Sequence, residues 1–211
     1  ATSLNYLKLL IFPHPLSSDY SYNQIPYKDF VYPLVWVSAL VHIGLGAGFF
    51  YFLKKRHIFS FGIGFYLFNL LIVNNFLFDI GATMGERLIF HASVGFVIAL
   101  AYLLGKGIQA ISSPSIRQGV AIAGMLAVVV LSGFKTITRN KDWKNDETLF
   151  LQDINVSPNS FLVNANVACL LINKADLETN EQVRNEGLAK GVALYNKVIG
   201  MQDNYVLGYM N

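Results

Sequence analysis

The stretch FVYPLVWVSALVHIGLGAGFFYFLKKRHIFSFGIGFYLFNLLIVNNFLF, Phe30 to Phe78, decides the fold. It holds two apolar runs, about 30–53 and 58–78, and each reaches the roughly 20 residues that a helix rising 1.5 Å per residue needs to cross a bilayer. Only Lys54, Lys55, Arg56 and His57 separate them, so the spacing predicts an antiparallel helical hairpin with a basic turn at one membrane face. Two more apolar runs follow, about 88–104 and 116–137; the last has a short uninterrupted core from Gly119 to Phe134. The expected fold class is therefore an all-α polytopic membrane protein with about four transmembrane helices. Gly44, Gly46 and Gly48, with Gly62 and Gly64, would let helix backbones approach closely in lipid, where small residues replace the hydrophobic effect as the packing device.

Composition agrees. Of 211 residues, 54% are hydrophobic and 14% charged, which excludes a purely soluble globular protein. Residues 1–134 carry 8 basic and 4 acidic side chains, and residues 135–211 carry 8 and 9, so an apolar part precedes a soluble-looking one. A net charge of +3 with dispersed basic residues makes no nucleic-acid surface, and nucleic acid is not an expected partner. Cys169 is the only cysteine, which excludes an internal disulfide, a cysteine-based zinc site and an iron–sulfur cluster. The chain opens on Ala1 with neither the basic start nor the apolar run of a signal peptide and reads as a piece of something longer.

Residues 1–137 form the membrane part, with an outer loop over 1–29, and residues 138–211 a helical repeat region. In the first stretch, Leu4, Leu7, Leu10 and Ile11 recur at helical spacing. That helix is too short to span, and either lies along the membrane surface or ends a spanning helix that begins upstream. Pro13, Pro15 and Pro26 then impose a loop. Asp142 or Asn145 can cap a helix over Glu147–Val156, with Pro158 as its stop, and a second helix runs from about Asn159 to Ala175. Thr179 and Gln182 have capping-box spacing before a third, whose Val192, Tyr195 and Val198 or Ile199 share a face. Basic residues on the side of the tight turn number five with Lys106 and Arg117, against seven on the other side. Weighting the short loops puts the basic turn in the cytoplasm and both termini outside.

The most informative motif is GATMGERLIFHASVGF, Gly81 to Phe96. Thr83 and Glu86 have the spacing of a capping box. Arg87 falls in the first helical turn, where free amides and a guanidinium suit a phosphate; an interfacial arginine reaching toward headgroups is the alternative. His91, one turn on, could donate to the same ligand or to a neighbouring helix. In the loop SSDYSYNQIPY, Ser17 to Tyr27, Asp19 stands among Tyr20, Tyr22 and Tyr27. A carboxylate beside aromatic rings can hold a sugar, and tyrosines at that depth also serve as interfacial anchors. Asn74 and Asn75 read as interhelical hydrogen bonders. No HExxH, GxSxG, Walker loop or GxGxxG is present, so the chain carries no self-sufficient catalytic constellation. Near mid-membrane His42 is the one ionisable candidate, which disfavours a transporter.

Three stretches in order, YLKLLIFPHPLSSDYSYNQIP (Tyr6 to Pro26), GERLIFHASVGF (Gly85 to Phe96) and Trp143 with Leu149 and Phe150 ahead of helical repeats, resemble the transmembrane-and-TPR-containing protein family. Gly85, Glu86, Arg87, Phe90, Ser93, Gly95 and Phe96 fit its motif, whereas Ala92 stands where proline is usual and His91 where an apolar residue is usual. The resemblance implies a multi-spanning GT-C glycosyltransferase that moves mannose from a polyprenyl-phosphate sugar donor to protein hydroxyls, with a TPR array on the non-cytoplasmic side. It implies that Arg87, Glu86 and His91 face the lipid phosphate and that Asp19, Tyr20 and Tyr22 face sugar or acceptor. Membrane lipid is then a partner, and acceptor protein binds through the TPR region. A divalent metal is compatible with the class, though no site for one is seen. The catalytic acid of such enzymes lies in an outer loop upstream of Ala1, so none is named and this segment alone is expected to be inactive. The expected location is a bacterial inner membrane with the repeats in the periplasm, or else the endoplasmic reticulum with the repeats luminal. Aligned as a TPR, Ala168 and Gly191 are 23 apart where about 12 is usual, which implies an insertion around Ala175 to Gln182. Asp203 stands where proline is usual. A rival reading is a non-enzymatic membrane anchor that displays a TPR scaffold.

Overall fold

The computed structural model describes residues 2–22, 24–26, 28–75, 77, 80 and 83–201. Tyr27, Phe78, Gly81 and Asp203, named above, lie outside them. Among the described residues all regular structure is helical: α1 (Thr2–Ile11), α2 (Pro33–Lys54), α3 (Ile58–Val73), a 3-10 turn (Glu86–Ile89) leading into α4 (Phe90–Gln109), α5 (Pro114–Asp142), α6 (Asp146–Val156), α7 (Phe161–Leu177) and α8 (Glu181–Met201).

Local chemistry sets these boundaries. Pro33 opens α2, where its fixed φ fits and its missing N–H would have had no partner. The reversal into α3 is made by Arg56 at φ 50° and by His57, whose Nδ1 accepts the Phe59 amide at 3.2 Å and caps the new helix. Asn74 then ends α3 and Asn75 adopts φ 53°, a left-handed conformation asparagine tolerates better than most residues. The helix is thereby held to 16 residues, about 24 Å long, short of a ~30 Å hydrocarbon core. Among the described residues three helical segments are long and apolar enough to cross, Pro33–Lys54, Glu86–Gln109 and Pro114–Asp142, and α3 is a shorter apolar helix between the first two, so three of the about four expected spans are present at full length.

Helices α3 and α4 cross where two glycines meet. A Cβ on Gly62 would lie 2.8 Å from the Gly95 carbonyl oxygen, and one on Gly95 would lie 2.9 Å from the Tyr66 amide. Gly64 likewise leaves room for the Phe49 ring. Gly44 and Gly46 have no neighbour within 4 Å of where a Cβ would stand, so the close-approach reading holds for the α3 glycines and not for those two.

Helix α1 packs against the bundle. Tyr6 is fully buried among Tyr20, Tyr66, Leu70, Met84, Ile89 and Ala92, and its hydroxyl accepts the Gly85 amide at 3.1 Å. Asn74 Nδ2 donates to Ser3 Oγ at 2.6 Å, which ties α1 to the end of α3. Helix α5, by contrast, has no buried residue along its 29; its stretch from Gly119 to Phe134 is without charge on any side and suits lipid.

Beyond it, Asn145 rather than Asp142 caps α6, reciprocally with Thr148. Ser160 caps α7. Asn180, not Thr179, accepts the amides of Gln182 and Val183 at the start of α8. Helices α7 and α8 form an antiparallel hairpin around Ala165, Ala168, Tyr195 and Val198, closed where Gly191 lies against Ile172 and the Ala168 carbonyl. Only 178–180 separate α7 from α8, so the spacing of 23 between Ala168 and Gly191 lies almost wholly in the two helices.

Candidate functional site

Antiparallel packing puts the start of α2, the end of α3, the 3-10 turn and the end of α5 at one end of the bundle. The proline-rich loop 13–26 crosses that end, and three carboxylates hold it. Glu86 Oε1 accepts the Ser17 amide at 2.7 Å and the Tyr20 hydroxyl at 2.6 Å. Asp153, fully buried in α6, accepts the Ser18 amide at 2.7 Å through Oδ2. Its Oδ1 takes Arg139 Nη2 at 3.1 Å, and Arg139 also pairs with Asp142 at 3.1 Å. Asp19 Oδ2 accepts the Ser21 amide and Ser160 Oγ, both at 2.7 Å. The loop carbonyl of Tyr22 takes the Phe161 amide at 2.8 Å.

The loop is thus a strap with one edge on the first turn before α4 and the other on α6 and the N-terminus of α7. Loop amides that no regular structure could satisfy find carboxylates instead, and charge-assisted bonds of this kind are among the stronger ones. Burial, then the hydrogen bond to Glu86 and the charge of that carboxylate, push the Tyr20 phenol well above the usual tyrosine range. Tyr20 therefore stays a proton donor to Glu86. Burial likewise raises the Tyr6 phenol, against a smaller opposing effect of the Gly85 amide.

The residues named from sequence divide accordingly. Glu86 does not close a capping box with Thr83: Gly85 occupies the N-cap position and no side chain caps the turn. The physical reason is competition, since the Ser17 amide and the Tyr20 hydroxyl claim the carboxylate. Asp19 and Tyr20 belong to the strap, and Tyr22 exposes 43% of its surface beside it. Arg87 and His91 are exposed. Among the described residues the Arg87 guanidinium makes no hydrogen bond or ion pair, while the His91 ring meets Phe90 edge-on at 5.7 Å. Nothing in the structure joins Arg87 to His91. His42 is satisfied internally: its Nδ1 donates to the Ser38 carbonyl at 2.7 Å and its Nε2 lies 3.3 Å from the Tyr66 hydroxyl. Among the described residues no group of three or more His, Cys, Asp or Glu is placed to hold a metal ion.

Sequence reasoning missed Asp153 and Arg139. Their signal was present, because Asp153 lies four residues after Leu149 and so shares its inward face. The reading also missed a cavity of about 370 Å³ at this end between α1, α2 and α3, lined by Ser3, Ser38, His42, Leu67, Leu70 and Asn74 among others.

Comparison with known proteins bears out the family resemblance. The chain is similar to human protein O-mannosyl-transferase TMTC4, 26% identical over 122 residues that make up 58% of this chain and 16% of that protein. To mouse TMTC3 it is 30% identical over 105 residues, 50% of the chain and 11% of the relative. To mouse TMTC1 it is 25% identical over 173 residues, 77% and 18% respectively. The chain thus spans less than a fifth of the length of these relatives. No family model matches, and no solved structure matches.

Proposed function

We propose that this chain is a segment of an integral-membrane glycosyltransferase of the GT-C type. The whole enzyme would transfer a sugar, mannose by analogy with the relatives' names, from a polyprenyl-phosphate donor to protein hydroxyls on the non-cytoplasmic side. The observation that carries this reading is the similarity to proteins named O-mannosyl-transferases, in a chain that the helices already mark as a membrane protein.

The geometry adds a division of labour. Arg87 is the cation left uncommitted at the start of the third apolar helix, so in this reading it neutralises the lipid phosphate as the sugar leaves, where negative charge develops. His91 is a second donor on the same segment. The apolar groove between α1, α2 and α3 suits part of the donor's hydrocarbon chain. Glu86, Asp19 and Tyr20 shape the strap, and Tyr22 is the loop aromatic that remains open to sugar or acceptor. The α7–α8 hairpin would begin a TPR array that holds acceptor protein, since one such unit cannot bury its own face. A bacterial inner membrane with the array in the periplasm is the location proposed, with the endoplasmic reticulum and a luminal array as the alternative.

The test is sugar transfer by the complete enzyme, including the sequence that precedes Ala1. Arg87→Ala should lower kcat by at least tenfold while the protein folds and inserts normally; undiminished transfer would sink the phosphate role. For sidedness, a cysteine at Asn185 in a Cys169→Ala background should react with an impermeant maleimide added from the non-cytoplasmic side. Reaction only after the membrane is opened reverses the topology. A specific observation favours the scaffold reading for one residue: Asp19 is bonded to Ser21 and Ser160, as an anchor would be. Under that reading Arg87→Ala changes nothing, and disruption of the α7–α8 hairpin abolishes function.

A further inference from the structure

The opposite end of the bundle carries basic side chains that, among the described residues, form no ion pair. Lys54, Lys55 and Arg56 end α2 and form the turn, and all three are exposed. Lys106 comes from α4, and the contacts around His57 show why it joins the same surface. Because His57 Nδ1 accepts the Phe59 amide, its Nε2 carries the proton and donates to the Tyr102 hydroxyl at 3.0 Å. That bond pins α4 to the α2–α3 turn. The rings of Phe52, His57, Phe59 and Tyr102 pack with centroids 4.9–5.3 Å apart, which gives the turn a rigid aromatic base.

The lysines are posed by the same aromatic layer. Lys55 Nζ donates to the Tyr51 hydroxyl at 2.5 Å and stands 4.4 Å from the centre of its ring. Lys106 Nζ lies 5.8 Å from the Tyr102 ring. Arg117, in the loop-proximal turn of α5, spends its guanidinium on the Ile111 carbonyl at 2.9 and 3.1 Å and adds its charge to this end. No aspartate or glutamate occurs from residue 30 to 78 or from 88 to 141. Four exposed cations therefore surround one helix turn with no acid of the same helices to offset them.

We propose that Lys54, Lys55, Arg56 and Lys106 form a binding surface for the headgroups of anionic phospholipids. The ligand chemistry is a phosphodiester bearing net negative charge, and the hydrocarbon belt around α2 and α4 makes membrane lipid its source. A bilayer around apolar helices must place headgroups at their ends, tyrosines at this level sit in that layer, and basic clusters beside a membrane helix attract anionic lipid. A bare topology signal, which needs only charge during insertion, would show no preference for one lipid over another once the protein is in place.

Spin-labelled phosphatidylglycerol and phosphatidylcholine, added separately to the intact protein in phosphatidylcholine vesicles, measure the preference through the immobilised fraction. At low salt the association constant for phosphatidylglycerol should exceed that for phosphatidylcholine by about fivefold or more. The ratio should fall toward about one in molar salt and in the Lys54→Gln, Lys55→Gln, Arg56→Gln, Lys106→Gln variant. Lys28→Gln with Lys135→Gln, at the other end, should leave it unchanged, and inorganic phosphate at matched ionic strength should not displace the lipid. Equal binding of the two lipids by the unaltered protein, or a preference that survives the fourfold variant, overturns the proposal. So does a preference lost through the other end's lysines. If the fourfold variant fails to fold, a preference indifferent to salt in the unaltered protein overturns it equally.

Discussion

The two ends of the helix bundle use charge in opposite ways. At the Glu86 end the carboxylates of Glu86, Asp19 and Asp153 are consumed by loop amides, hydroxyls and one arginine. At the Lys54 end Lys55 and Lys106 stand against aromatic rings, and both are exposed together with Lys54 and Arg56. The difference follows from what the chain must satisfy. A proline-interrupted loop carries amides that regular structure leaves unpaired, whereas a two-helix turn that closes on its own caps leaves its charged side chains free. The carboxylates at one end are spent on architecture, and the cations clustered at the other are available for binding.

Four substitutions test that contrast, each followed by thermal unfolding of the detergent-solubilised protein. The largest effect is expected from Asp153→Ala, which leaves the Ser18 amide without its acceptor and Arg139 with Asp142 alone; removal of one partner of a buried pair costs about 3–5 kcal/mol. A change below about 1 kcal/mol would mean the strap is not anchored through α6. Tyr20→Phe should cost about 1.5–3 kcal/mol, the scale of a hydrogen bond to a charged group. Nearly full stability in that variant would show that Glu86 finds another donor. Gly95→Ala, which pushes a methyl into the Gly62 backbone, should cost about 1–3 kcal/mol and leave the strap intact. A neutral result would mean α3 and α4 can part without loss. At the basic end the sign reverses: Arg56→Gly should raise stability by about 0.5–1 kcal/mol, because a left-handed φ strains any residue with a Cβ. A loss there would show that the arginine has a structural partner, and the two ends would then differ less than their hydrogen bonding indicates.

The similarity to O-mannosyl-transferases gives the contrast a functional edge. Were Glu86 part of donor binding, Tyr20→Phe would change KM for the donor as well as stability. As a strap residue, Tyr20 should leave KM alone and lower only the temperature at which activity is lost.

Much of the fold was legible because it depends on local, one-dimensional signals. Apolar length gave the helices, Lys54 to His57 gave the hairpin, and Asn145 and Pro158 bracketed α6. Boundaries set by competition were harder to read. Thr83 and Glu86 have capping-box spacing, yet a hydroxyl 66 residues away along the chain takes the carboxylate. Thr179 and Gln182 have it too, and Asn180 caps instead. The 3.6-residue period of α6 put Asp153 on an inward face, but only the folded chain shows that a loop amide 135 residues earlier waits for it.

By itself, then, the sequence determined that this protein is helical, enters a membrane, turns on a basic hairpin and continues into amphipathic helices, since each of these follows from hydropathy and spacing along the chain. The tertiary structure decided which charges are spent and which are free. That depends on distances between residues remote in sequence, and a carboxylate's role is fixed by whichever donor reaches it first in space.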